Sequence, residues 1–263
     1  MKLNKFYLTC LGTILLALTA CNKGDQDFLY KEELFGVNLI GYNASSEELT
    51  VKLDTTDLIT PLQPNSRFES TTAYTFRPNE DRIKLRIAEK ISGKLVLERE
   101  LKKEDSGIKI NFFYTEGRTG PMPEKPAVEQ GKIKLLYMFQ PTTTNYTEPV
   151  DFVVGKYYLV PKVFEELGRA KNVKPYEFCP PITIPTFSTT TQVYNGVTTT
   201  ASFVVRIYKA GTDIPYTDGT AYSWNPLTST APKPQSSTAS SKLYIFSEAP
   251  SGGLMRFFTR LDQ

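Results

Sequence analysis

In Leu49-Thr50-Val51-Lys52-Leu53-Asp54 apolar and polar residues alternate without a break. That is the period of a strand with one face buried and one in water. Residues 82–87 repeat it, with Ile83, Leu85 and Ile87 on one face and Arg82, Lys84 and Arg86 on the other. Leu95 and Leu97 continue the pattern, as do Ile108, Ile110 and Phe112, and residues 37–42 and 72–76 supply two further strands. Turn chemistry joins them: Asn43-Ala44-Ser45-Ser46, Pro78-Asn79-Glu80-Asp81, Ser92-Gly93 and Asp105-Ser106-Gly107. Six or more short strands at this spacing predict a small antiparallel sandwich over residues 34–115.

Residues 116–131 hold three prolines and three glycines and no apolar period, so a linker is expected there, with a second domain over 132–263. Residues 133–139 open it, and the nearly continuous apolar run 152–160 reads as a deeply buried strand. Pro161 followed by Glu165 and Glu166, with Phe164 and Leu167 forming a narrow apolar face, predicts one short helix over 161–170. Gln192-Val193-Tyr194 and Val197-Thr198-Thr199 flank Asn195-Gly196, the residue pair that accepts the positive φ angles of a type I′ hairpin. Residues 203–208, 243–246 and 255–261 are further strands, and 228–241, rich in Ser, Thr and Pro, is expected to be a mobile surface loop. The fold class expected is therefore all-β: two antiparallel β-sandwich domains, the second with one short helix.

The N-terminus carries an address. Lys2 and Lys5 precede an apolar run ending at Ala20. That run is shorter than the roughly 20 apolar residues a bilayer span requires and has the form of an export signal. Leu18-Thr19-Ala20-Cys21 resembles the lipobox of bacterial lipoproteins. The resemblance implies a signal peptide over 1–20 and acyl chains on Cys21, with the membrane as a partner through that lipid. Residues 21–33 would then form a tether. Its opening, Asn22-Lys23-Gly24-Asp25-Gln26-Asp27, is similar to the acidic export signal of Bacteroidota surface lipoproteins. This implies an outer-membrane, lipid-anchored protein at the cell surface. The strand and turn order of residues 34–115 resembles the immunoglobulin-like or transthyretin-like modules of such lipoproteins.

Charge and chemistry narrow the function. The chain has 31 basic and 28 acidic residues; without Lys2 and Lys5 the excess falls to one positive charge. No basic cluster offers a footprint for nucleic acid. There is no histidine, which removes Ser-His-Asp and Cys-His catalysis and every histidine-ligated metal site. With Cys10 in the leader and Cys21 lipidated, Cys179 is the single thiol of the mature chain and has no base to activate it. Glu165-Glu166, Glu32-Glu33 and Glu80-Asp81 are acid pairs of the type a glycosidase uses, although acids in a β protein are usually solvated faces and turns. The expectation is a protein that is not an enzyme, with no catalytic residue, metal or cofactor.

One segment has binding chemistry. Residues 213–226 place Tyr216, Tyr222 and Trp224, the only tryptophan, among Asp218, Asn225 and turn residues. Aromatic faces beside carboxylate and amide groups suit a sugar, whose apolar face stacks while its hydroxyls hydrogen-bond at the rim. The competing arrangement folds Tyr222 and Trp224 back over the open end of the sandwich. Two readings stay open: an envelope lipoprotein binding a neutral glycan through these five residues, or a fimbrillin-like or other adhesive subunit docking on an envelope protein partner. The first arginine after Cys21 is Arg67, inside the first domain, which argues against proteolytic release of a leading strand.

Overall fold

The structure, a computed structural model, describes residues 34–57, 60–105, 107–115 and 117–263. The leader 1–20, the lipidation residue Cys21 and the tether 21–33 lie outside the described residues.

The first part contributes β1 (Leu34–Asn43), β2 (Leu49–Leu53), β3 (Thr56–Asp57), β4 (Ser66–Thr75), β5 (Arg82–Glu89), β6 (Leu95–Lys102), β7 (Ile108–Thr115) and β8 (Arg118–Gly120). They form two four-stranded sheets, ordered β4-β1-β7-β8 and β3-β2-β5-β6. The alternating residues do what their period requires. Val51, Leu53, Ile83, Leu85 and Ile87 meet Val37, Leu39, Ile110 and Phe112 of the opposite sheet in one buried cluster. Each such side chain contributes roughly 1.5–3 kcal/mol on leaving water. Gly41 lets β1 and β7 approach closely, since a Cβ there would lie 1.7 Å from the Phe112 carbonyl oxygen.

The second part contributes β9 (Lys132–Gln140), β10 (Val150–Tyr158), β11 (Val163–Val173), β12 (Ile182–Pro185), β13 (Gln192–Tyr194), β14 (Val197–Thr199), β15 (Ala201–Lys209), β16 (Ser240–Glu248) and β17 (Phe257–Asp262). Its sheets are β12-β9-β16-β17 and β11-β10-β15, with β13-β14 as a separate hairpin. Ile133, Leu135, Tyr137 and Phe139 pack on Phe152, Val154, Val205 and Ile207 between the sheets.

The two sandwiches share one topology. In each, the opening strand pairs antiparallel with the fourth strand and parallel with a strand near the end, as β1 does with β4 and β7 and β9 does with β12 and β16. These two parallel pairs depart from the purely antiparallel sheets expected from sequence; the other described strand pairs are antiparallel. Besides the β13-β14 hairpin, found only in the second, the copies differ at one edge. In the first, β6 completes the sheet beyond β5; in the second, no strand follows beyond β15.

Three expectations need correction. Residues 161–170 are not helical: 161–162 lie in the turn after β10, and 163–170 belong to β11, an edge strand antiparallel to β10. The two-residue apolar face was too sparse to hold a helix, whereas the strand sets Glu165 opposite Lys156 at 3.5 Å and lets Arg169 reach Asp151 on the neighbouring strand. Among the described residues no helix is long and apolar enough to cross a membrane. The segment 228–241 is not a free loop: Ser229, Ala231 and Ser237 are buried, and Tyr137 donates its hydroxyl to the Pro232 carbonyl at 2.9 Å. The linker is shorter than expected, because residues 118–120 pair with β7 as β8.

Where the sandwiches meet, Tyr42, Ala44 and Met122 pack on Leu136, Met138, Leu243 and Ile245. These last four lie on the outer face of the β9-β16 sheet.

Candidate functional site

The free edge of β15 positions the aromatic segment. Backbone donors and acceptors along a sheet edge need partners, and here the chain leaving β15 folds back to supply them. Lys209 N donates to Ile214 O at 2.9 Å, and Tyr216 N to Ile207 O at 3.2 Å. On the return, Ala231 N donates to Val205 O and Val205 N to Thr230 Oγ1, both at 2.9 Å. Residues 217–229 are the excursion between those clasps, occupying the side that β6 fills in the first sandwich. The excursion is also tied to the β16–β17 connection, through Ser223 N to Gly253 O at 2.9 Å and Met255 N to Ser223 O at 3.0 Å.

The five sequence candidates separate into different roles. Tyr216 is 0% exposed, which removes it from any surface platform. Its ring stands edge-on to Phe139 at 5.1 Å and to Trp224 at 6.4 Å, and its hydroxyl donates to Glu248 Oε1 at 2.8 Å. Burial and the neighbouring Glu248 carboxylate push its pKa up. Glu248, itself buried, also accepts from Thr143 N and Thr144 N at 2.7 Å and Thr144 Oγ1 at 2.6 Å. Tyr216 is a strut under the loop, anchored to a fully hydrogen-bonded carboxylate. Tyr222 and Trp224 are half-buried and pack against the core with one side; Trp224 also contacts Phe257 at 6.2 Å. Asp218 is exposed and pairs with Lys209 at 3.0 Å. Asn225 turns inward to the backbone: its Oδ1 accepts from Leu227 N at 2.9 Å and Thr228 N at 3.0 Å.

Together Asp218, Tyr222 and Trp224 border an open hollow of about 420 Å³, with Thr217, Thr220 and Ser223 completing its wall. Asn225 and Tyr216 do not line it. The structure thus brings together three of the five candidates, and the Tyr222 and Trp224 rings both pack on the core and border the hollow. Sequence reasoning missed the hydroxyl residues of the wall, whose only signal was their place between the aromatics. It also missed Glu248, thirty-two residues from Tyr216 and linked to it only by the fold.

Elsewhere, Cys179 is buried and accepts from Tyr137 N through its Sγ at 3.2 Å; burial pushes its thiol up to about 12. Among the described residues, no group of three or more Cys, Asp or Glu side chains is placed to hold a metal. Compared with known proteins, the chain matches no family and no curated relative.

Proposed function

We propose that this chain is a non-enzymatic, lipid-anchored envelope protein of the bacterial outer membrane, exposed at the cell surface, that binds a neutral glycan at the 217–224 hollow. The observation carrying this reading is the pair Tyr222 and Trp224, held half-exposed around an open depression walled by Asp218, Thr217, Thr220 and Ser223. Aromatic surface next to hydroxyl and carboxylate groups is the chemistry that takes a sugar ring. Tyr216 supports it from below: a ring braced before ligand arrives loses less freedom on binding. The lipid anchor rests on Leu18-Thr19-Ala20-Cys21, and the immunoglobulin-like or transthyretin-like assignment rests on strand and turn order together with the face-packed sheets.

A second reading, an adhesive subunit docking on a protein, draws support from the far end of the second sandwich. Leu159, Val160, Val193 and Val197 are all exposed there. Leu159 and Val160 lie in the turn after β10, and Val193 and Val197 on the β13-β14 hairpin beside it; the two are joined by Val160 N to Thr199 Oγ1 at 3.1 Å and by the Tyr158–Tyr194 ring contact at 4.6 Å. Clustered exposed aliphatics mark interaction surfaces.

A glycan array probed with the parent and with Tyr222→Ala separates the two. Glycan binding by the parent that falls at least tenfold in Tyr222→Ala, with the melting temperature within about 2 °C, supports the hollow. A parent that binds no neutral glycan leaves the adhesive reading ahead. The anchor has its own check: Cys21→Ser should accumulate as an unprocessed precursor without fatty-acid label, and normal labelling of that variant would refute lipidation.

A further inference from the structure

Antiparallel sheets commonly bury one face and leave the other in water. The first sandwich follows that rule: Lys52, Lys84 and Arg86, on the outer face of β2 and β5, are all exposed. The sheet in the same topological position of the second sandwich does not. Along β10 and β15 the inward residues Phe152, Val154, Val205 and Ile207 lie in the core. The alternate residues Val153, Tyr157, Val204 and Tyr208 point the other way, yet they too are buried. They belong to none of the three apolar clusters. This sheet therefore carries a second apolar layer on its outer face.

Rings and guanidinium groups lie across that layer. A Cβ on Gly155 would meet the Phe164 ring at 2.7 Å, so the ring reaches from β11 over β10. The Arg206 guanidinium sits 4.0 Å from the Phe164 ring centre and 5.6 Å from that of Tyr157, and Arg169 stands over Tyr208 at 5.9 Å. Phe164, Arg169 and Arg206 are half-buried. Arginine and aromatic residues are the types enriched where proteins meet.

The two arginines occupy one cross-strand row, on either side of Val153, but their charges are compensated differently. Arg169 pairs with Asp151, Glu166 and Asp213, three carboxylates for one cation. Arg206 pairs with no carboxylate; its Nη1 donates to the Tyr208 hydroxyl at 2.7 Å. A half-buried cation without a counter-charge is costly. Among the three acids, Asp151 and Glu166 have both oxygens engaged. Asp213 accepts through Oδ1 alone, and its side chain is 80% exposed. The face thus has an unmatched positive charge over Tyr157, near one end of β10, and surplus negative charge around Arg169, toward the other.

We propose that this face joins two copies of the chain about a two-fold axis, with their β10 strands antiparallel, so that Arg206 of each copy pairs with Asp213 of the other. Antiparallel stacking sets the positive end of one face on the negative end of its twin. One self-complementary contact made twice is what a closed two-fold interface requires. Leu159 and Val160, exposed just beyond Tyr157, add apolar surface to be buried. The inference goes beyond the glycan reading and holds whether or not the 217–224 hollow takes a sugar.

The test is sedimentation equilibrium of the full chain in density-matched detergent. The parent should fit a monomer–dimer equilibrium with a Kd of about 10 μM or tighter. Arg206→Glu and Asp213→Lys should each raise that Kd at least tenfold, because each sets like charges against one another twice per dimer. Mixing the two variants should restore a heterodimer within threefold of the parent affinity, since both of its pairs then join opposite charges. Asp213 is exposed, so its variant tests the contact even if Arg206→Glu does not fold. A monomeric parent would overturn the proposal, as would a dimer that the variants leave intact. So would a mixture that stays monomeric when each variant alone has lost the dimer.

Discussion

Tyr216 is the residue on which the candidate site turns, and its role runs opposite to the one its neighbours in sequence suggested. The segment 213–226 identifies a concentration of rings and polar groups but carries no information about which ring points down. Orientation is set by Glu248 and Phe139, which reach Tyr216 only through the fold. Tyr216→Phe keeps the ring contacts and deletes one hydrogen bond to a buried carboxylate that retains three other donors. A loss of about 1.5–3 kcal/mol in denaturant unfolding is expected, the usual worth of a hydrogen bond to a charged group. Glycan affinity should fall only through the looser seat of Trp224, by less than about fivefold. A Tyr216→Phe protein as stable as the parent would mean the strut carries no load.

At the scale of elements, strict alternation was legible wherever one face meets water: β2, β5 and the inward residues of β7 follow from the sequence directly. The hairpin β13-β14 follows from Asn195-Gly196, both at positive φ. Strand β11 was not legible, because as a sheet edge it alternates weakly: most of its residues are half-buried. Pro161 and the adjacent glutamates carry a helix-start signal that cross-strand pairing overrides. Gly155 offers a test of the strand. A Cβ there would meet the Glu165 carbonyl oxygen at 2.1 Å and the Phe164 ring at 2.7 Å, a contact that exists only if β10 and β11 lie side by side. Gly155→Ala should therefore destabilise the protein by about 1–3 kcal/mol, the cost of overpacking. An unchanged unfolding midpoint would contradict this register.

At the scale of the molecule, the duplication of strand order in the two halves has no counterpart in the sequence pattern. Topology depends on which strands pair, and pairing partners are set by packing between distant segments rather than by local period. The difference between the copies is as informative as the likeness. Where the first half closes its sheet with β6, the second folds an irregular segment along β15 and exposes Tyr222 and Trp224 on the way. A loop fastened to a rigid sheet at both ends and at Gly253 is the kind of support that keeps a binding surface in place. The Ser- and Thr-rich stretch after it read as mobile because composition reports polarity and not the partners that polarity finds.

Trp224 is the only tryptophan in the chain, so its emission, excited selectively at the indole, reports on this one position at the rim of the hollow. The most direct test of the account is titration of the parent with neutral oligosaccharides while following that fluorescence and its quenching by acrylamide. Binding at the hollow predicts a saturable change in emission and protection from acrylamide. Oligosaccharide binding detected by calorimetry with Trp224 emission and quenching unchanged would contradict it.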